Sequence, residues 1–331
     1  MQIRFFFDGL PPDGLLGVDP DRDWRRFQQG DEAWILQSFL RLRRAGVDVE
    51  LTAEPSGAGL VVFHAKHKRA LLRRLHRLDR CLLVAVRGDL AGSLRLADFQ
   101  VVQCSEAADG RRRHFIPHWP QPGLQARDER RGDLFATLAY KGFLDNLHPA
   151  FRDEEWRRWL AARRIEWVVD AVRFAGGATD REALHWPDFR DLDGVLAVRP
   201  HDQASRPKPA TKLYNAWLAG TPALLGPEAE YRALRRDELD YLEIDSLAGA
   251  RAAVTRLAEQ PGLRRAMAER GRERAAEFAP QRTLERWREL LVERLPALAA
   301  SATGSDAAPE ISVRRRFLRR VEGFRLSLTR R

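Results

Sequence analysis

The chain has 331 residues, 44% of them hydrophobic, which is too long for one ordinary core and suits two domains of roughly 120 to 170 residues each. Its formal net charge is +10, but eight arginines against two glutamates between Pro309 and Arg331 carry six of those charges, so the basic folded face of a nucleic-acid binder is not the pattern here. No run of about 18 apolar residues is free of charge, which argues against a spanning helix, and Met1 to Asp13 lacks a basic n-region, so a cytoplasmic protein without a signal peptide is expected.

Short apolar runs rich in β-branched and aromatic residues alternate with helical patterns, which predicts parallel sheets wrapped by helices. In the first half, strands are expected at Ile3 to Phe7, Val47 to Thr52, Leu60 to His64, Leu82 to Val86 and Val101 to Cys104. Helices are expected from Glu32 to Ala45 and from Lys68 to Leu78. Cys81 and Cys104 lie in apolar runs without a CxxC spacing and read as buried free thiols. Three prolines between Ile116 and Gly123 break both periods and predict a hinge between a first domain, 1–122, and a second, 123–296. His114 and His118 have a zinc-compatible spacing without accompanying ligands and are read as hinge residues.

The rhythm then restarts. Strands are expected at Leu134 to Ala139, Ile165 to Val172, Gly194 to Val198, Pro222 to Leu225 and Tyr241 to Ile244, with Gly142 opening a turn. Helices follow at Asp153 to Arg164, Thr211 to Ala219, Leu247 to Glu259, Leu263 to Glu277 and Gln281 to Leu295. Asp191-Leu-Asp193 reads as a solvated helix end. Residues 297–331 form a third segment: a linker from Ala297 to Pro309, then a helix with Val313, Phe317, Val321, Phe324 and Leu328 on one face among arginines. Such a helix packs on the protein body or lies on an anionic membrane surface; the linker and the charge favour the membrane.

Lysine is scarce, five residues against 52 arginines, and four of the five fall in two short segments. In Lys208-Pro-Ala-Thr-Lys212 a proline loop ends at a helix start whose free N–H groups, with Thr211 and Lys212, suit a phosphate or pyrophosphate. A basic helix start without a ligand fits the same residues. Arg199 and Gly142 fall at the carboxyl edge of the sheet, where open α/β sheets place ligands, although a salt-bridging arginine and a plain turn glycine also fit. In the other segment, His64 ends a strand and has the near-neutral pKa of a general base, with Asp89 as the competing candidate. A structural hydrogen-bonding role suits either.

The stretch from Lys208 to Glu228, with Lys212, then Asn215, then Ala219-Gly220-Thr221-Pro222, resembles the donor-binding region of the group 1 (family 4-like) glycosyltransferases. The likeness runs from Phe135 to Leu291. It implies an α/β, GT-B architecture: two Rossmann-like domains with parallel sheets facing a central cleft, donor nucleotide on the second and acceptor entering from the first. Lys212 then matches the basic residue on the donor diphosphate, with Lys208 and Thr211 beside it. Asn215 stands where the family has a glutamate for the ribose hydroxyls, a departure that loses the charge-assisted share of that bond. Glu228 is the candidate substitute, and capping a helix is its alternative role. The implied activity is metal-independent transfer of a sugar from a nucleotide sugar to a saccharide or lipid-linked acceptor, in cell-surface polysaccharide or glycolipid synthesis, with no cofactor and no nucleic-acid partner. A sugar-nucleotide epimerase of the same fold, or a non-enzymatic basic protein that binds membrane or nucleic acid, stays open.

Overall fold

The computed structural model describes residues 1–9, 14–74, 78–88, 90, 94–174, 181–200 and 208–303, together with Phe317 and Val321. These fall into two compact units, one made of residues 1–118 and 280–331, the other of residues 119–279.

The first unit is built on β1 (Ile3–Phe6), a π-turn at Glu32–Leu36 that continues as α1 (Gln37–Arg44), β2 (Val49–Thr52), β3 (Gly59–His64), α2 (Lys68–Leu72), β4 (Cys81–Val86), β5 (Phe99–Val102) and β6 (Arg113–Phe115). Its strands are parallel in the order β2-β1-β3-β4-β5-β6. Every residue of β3 and β4 is buried, as their unbroken apolar runs require of strands covered on both faces. Helix α2 ends at Leu72, short of the expected Leu78, which is buried and passes its carbonyl to the Cys81 N–H as the chain turns into β4. Strand β5 starts two residues before its apolar pair, Val101 and Val102, because the buried polar Gln100 lies inside it. The edge strand β6 was not expected; it contains His114, which therefore lies in a sheet and not in a hinge. Cys81 is buried and Cys104 only half-buried.

The second unit runs β7 (Thr137–Phe143), α3 (Glu154–Ala161), β8 (Glu166–Val172), β9 (Gly194–Ala197), α4 (Thr211–Ala219), β10 (Ala223–Leu225), α5 (Ala229–Leu234), β11 (Leu242–Glu243), α6 (Leu247–Glu259) and α7 (Pro261–Ala275). Its parallel sheet has the order β11-β10-β9-β7-β8. Two expectations need correction. Gly142 opens no turn: it is inside β7, in register with Ala171 of β8. Asp193 is not at a solvated helix end: it is buried, and its carboxylate receives Arg127, Arg131 and the N–H groups of Ala136 and Thr137, fixing where β7 begins. Only Asp191 is exposed.

The closing helices α8 (Pro280–Arg288) and α9 (Leu295–Thr303), joined by a π-turn at Glu289–Arg294, belong to the first unit, so residues 280–296 are not, as expected, part of a second domain at 123–296. The buried indole of Trp287 packs 6.4 Å from the Phe5 ring of β1, which places this apolar face on the first core. Helix α9 also occupies the start of the expected linker, with Leu295 and Ala299 buried. Of the tail stripe, Phe317 and Val321 are helical and exposed, while Val313, Phe324 and Leu328 lie outside the described residues.

Candidate donor site

The carboxyl ends of β7, β9 and β10 and the start of α4 bring together Gly142, Arg199, Lys212 and Glu228. Lys212 lies in the first turn of α4, whose leading N–H groups have no capping side chain. Its ammonium turns inward, donates to the Lys141 carbonyl and rests 4.7 Å from the Tyr140 ring centroid. Gly142 makes the room: with φ at +138°, any Cβ there would come within 2.6 Å of the Lys212 Nζ. Burial, then the charge of Arg199, lower the Lys212 pKa to about 7, and Glu228 only partly opposes them.

Glu228 follows β10 and holds the N-cap position of α5, yet its side chain caps nothing. It is buried, and neither carboxylate oxygen makes a hydrogen bond of normal geometry. The Arg199 Nε is 3.7 Å away, beyond hydrogen-bond length, and the Arg199 Nη1 is itself buried without a partner. Burial raises the Glu228 pKa to about 7, while the charges of Arg199 and Lys212, and then the nearby Arg199 N–H and Tyr231 hydroxyl, pull it back. Three atoms from two side chains thus lack a hydrogen bond of normal geometry at one sheet edge, the edge where open α/β sheets place their ligands. Guanidinium and ammonium groups only donate, which suits phosphate oxygens; a carboxylate only accepts, which suits hydroxyls.

Asn215 is placed differently. It is buried in α4, and its Oδ1 accepts the Gln121 N–H at 2.9 Å, tying the proline-rich segment to this helix. Thr211 Oγ1 lies 3.4 Å from the Tyr214 hydroxyl. Lys208 is half-buried, just after residues outside the described set. Asp89 lies outside the described residues as well.

His64 ends β3 in the first unit, where its Nδ1 accepts the Lys66 N–H at 3.2 Å. The neutral ring then carries its proton on Nε2, so acting as a base would mean giving up that bond. Gly88 lies against it: at φ +53°, a Cβ there would come within 2.5 Å of the His64 Nε2. Next to it is Asp31, which sequence reading missed, buried and accepting from His67 Nε2 at 2.8 Å and Lys66 Nζ at 3.1 Å. Burial pushes its carboxyl up, but those two bonds outweigh it and hold the pKa well below the usual range. The signal available was the histidine and lysine pair itself; nothing local links it to a residue 36 positions earlier.

Residues 152–290, which include most of this site, match the model of the glycosyl transferase-like family. Among solved structures, sucrose-phosphate synthase from Thermosynechococcus elongatus aligns at a TM-score of 0.58 with 13% identity, over 90% of this chain and all (100%) of the other. HepE of Anabaena, in complex with UDP and glucose, aligns at 0.52 with 14% identity, over 88% of this chain and 99% of its own. The chain has the GT-B fold and resembles the group 1 glycosyltransferases. An α,α-trehalose-phosphate synthase (UDP-forming) from Burkholderia vietnamiensis aligns at 0.51, with 14% identity over 82% of this chain and 78% of that one. No curated protein sequence matches the chain. Among the described residues of this glycosyltransferase-like chain, no helix is long and apolar enough to cross a membrane.

Proposed function

We propose that the Lys212 cluster binds the diphosphate of a nucleotide-sugar donor and that the chain transfers the sugar to an acceptor hydroxyl. The carrying observation is the unmet pair Arg199 and Glu228 beside an ammonium whose pKa burial has lowered to about 7. Arg199, Lys212 and the N–H groups at the start of α4 take the phosphate oxygens, with Thr211 alongside. Glu228 accepts from the ribose hydroxyls, while the Asn215 oxygen already accepts the Gln121 N–H. Structural neighbours solved with UDP or described as UDP-forming support this reading.

As the bond from sugar to diphosphate breaks, negative charge grows on the leaving group. Fixed positive groups in a water-poor site stabilise that charge without reorganising, and so the reaction is read as metal-independent. A bound dianion favours the protonated form of Lys212, so the ammonium is charged when it is needed. In the first unit, His64 is the candidate that takes the proton of the acceptor hydroxyl, which requires its Nδ1 to give up the Lys66 N–H. A saccharide or lipid-linked acceptor at the cytoplasmic membrane face fits the basic segment from Pro309 to Arg331.

The test is a panel of nucleotide sugars with saccharide and lipid-linked acceptors, read as nucleoside diphosphate release and product mass. One donor is expected to be turned over, and Lys212→Ala or Arg199→Ala to lower kcat by about 100-fold or more. Interconversion of the nucleotide sugar without transfer would replace this reading with an epimerase; activity unchanged in both variants would remove the site.

A further inference from the structure

A cavity of about 270 Å³ lies within the first unit, between the edge strand β6 and the π-turn Glu289–Arg294. Its polar lining is Arg113 and His114 from β6 with Arg286, Glu289 and Arg294 from α8 and the π-turn. Ile116 and Leu290 are among the apolar residues that complete it. A π-turn fits an extra residue into the helix and re-aims its side chains, a device frequent at functional sites. Here it brings Arg294 to the cavity, where its Nη2 donates to the Gly110 carbonyl at 3.0 Å. Asp109 accepts the N–H groups of Arg111, Arg112 and Arg113 and the Arg113 Nε, so it fixes the turn into β6 and balances Arg113. The lining holds Arg113, Arg286 and Arg294 against Glu289, an excess of positive charge.

His114 is 4% exposed, and neither ring nitrogen makes a hydrogen bond of normal geometry. Burial, then Arg294, lower its pKa, although the Arg111 backbone pulls it partly back, so near neutral pH the ring offers one donor and one acceptor. A buried imidazole left in this state is costly, and it lines the cavity. Water alone would fill the volume with several molecules at about 30 Å³ each, but it gives no reason for three guanidiniums. Guanidinium forks match phosphate oxygens two at a time, whereas the apolar wall suits carbon. The space exceeds what a bare phosphate needs.

We propose that this cavity binds a small phosphate ester, its phosphoryl oxygens on Arg286 and Arg294 with His114 as a further donor, and its organic part along Ile116 and Leu290. The ester is either a soluble metabolite or the headgroup of a lipid, since both present the same phosphoryl group. This site is separate from the donor cluster, whose residues all belong to the other unit.

The experiment uses the full chain labelled at histidine Cε1, with the His114 resonance assigned by its loss in His114→Gln. Glycerol 3-phosphate, glycerol, and dihexanoyl phosphatidic acid below its micelle concentration are titrated in turn. A saturable shift of the His114 resonance is expected with a phosphate ester and none with glycerol. Arg286→Gln and Arg294→Gln should each weaken the ester at least tenfold, and Lys212→Met should leave the titration unchanged. Tighter binding of the acylated ester would assign the lipid source, and equal binding the soluble one. An unmoved His114 resonance, a shift indifferent to both arginine variants, or a shift abolished by Lys212→Met would overturn the proposal.

Discussion

Asp193 and Glu228 are both buried carboxylates of the second unit, and their surroundings are opposite. Asp193, just before β9, takes two bonds from Arg127 at 3.1 and 2.8 Å and two from Arg131 at 2.9 and 2.7 Å. Two backbone N–H groups complete its shell, and these partners outweigh burial to hold its pKa below the usual range. Glu228, just after β10, has no bond of normal geometry, and burial leaves its pKa at about 7. One unit thus saturates a carboxylate at the amino edge of its sheet and holds another only loosely at the carboxyl edge, where open α/β sheets bind ligands. Full satisfaction marks a residue that holds the fold; an unmet buried charge marks one kept for a partner, at some cost in stability.

The largest expected effect is on Asp193. Asp193→Ala strands two guanidiniums and two N–H groups and should lower the unfolding free energy by about 3–5 kcal/mol in denaturant titration. Glu228→Ala should change it by less than about 1 kcal/mol, because burial opposes its charge and its ion pair with Arg199 is long, at 3.7 Å. Equal costs would dissolve the contrast.

Next is Lys212→Met, which removes a desolvated ammonium. Unfolding free energy at pH 7 should rise by about 0.5–2 kcal/mol while diphosphate affinity falls, the stability–activity exchange expected of a functional residue. A variant that is both less stable and fully competent to bind would make Lys212 structural.

The two carboxylates should also differ in pH dependence. Glu228 has its folded pKa raised to about 7 from the ordinary 4.5, so between those values the native state holds a proton that the unfolded state lacks, and stability declines as pH rises through that window. Asp193 is shifted the other way: its contribution is present above the unfolded value of 3.8 and is lost on acidification. Glu228→Gln should flatten the first slope, at most about 1.4 kcal/mol per pH unit, and leave the acid limb unchanged. A slope that survives in this variant belongs to another group.

Smallest is Asn215→Ala, which frees the Gln121 N–H. It should lower stability by about 1 kcal/mol and leave the donor KM nearly unchanged. A large rise in donor KM with stability intact would return Asn215 to the ribose.

Much of this was legible in the sequence because central parallel strands must be apolar on both faces, so β3, β4 and β9 stand out as unbroken runs. The scarcity of lysine pointed to Lys212, and the position just after a strand pointed to Glu228. Other features depend on partners remote in the chain. Asp193 looked solvated because its arginines lie 62 and 66 residues away. Gly142 was marked as a glycine that mattered, but the reason, space for the Lys212 ammonium, exists only once β7 and α4 are packed. The helix expected at Gln281 to Leu295 implied a packed face without saying in which unit, since an amphipathic period alone does not name its core.

The central claim, that the Lys212 cluster is a diphosphate site, is tested most directly by calorimetric titration of nucleoside diphosphates into the wild-type chain and Lys212→Met. The titrations are run near pH 8 in two buffers of different ionisation enthalpy. With the free ammonium lowered to about 7, Lys212 is mostly neutral at that pH, and a bound dianion should recharge it. The account predicts uptake of close to one proton per nucleotide bound, with affinity at least tenfold lower and the uptake gone in the variant. Equal affinity and equal proton uptake in both proteins would contradict it.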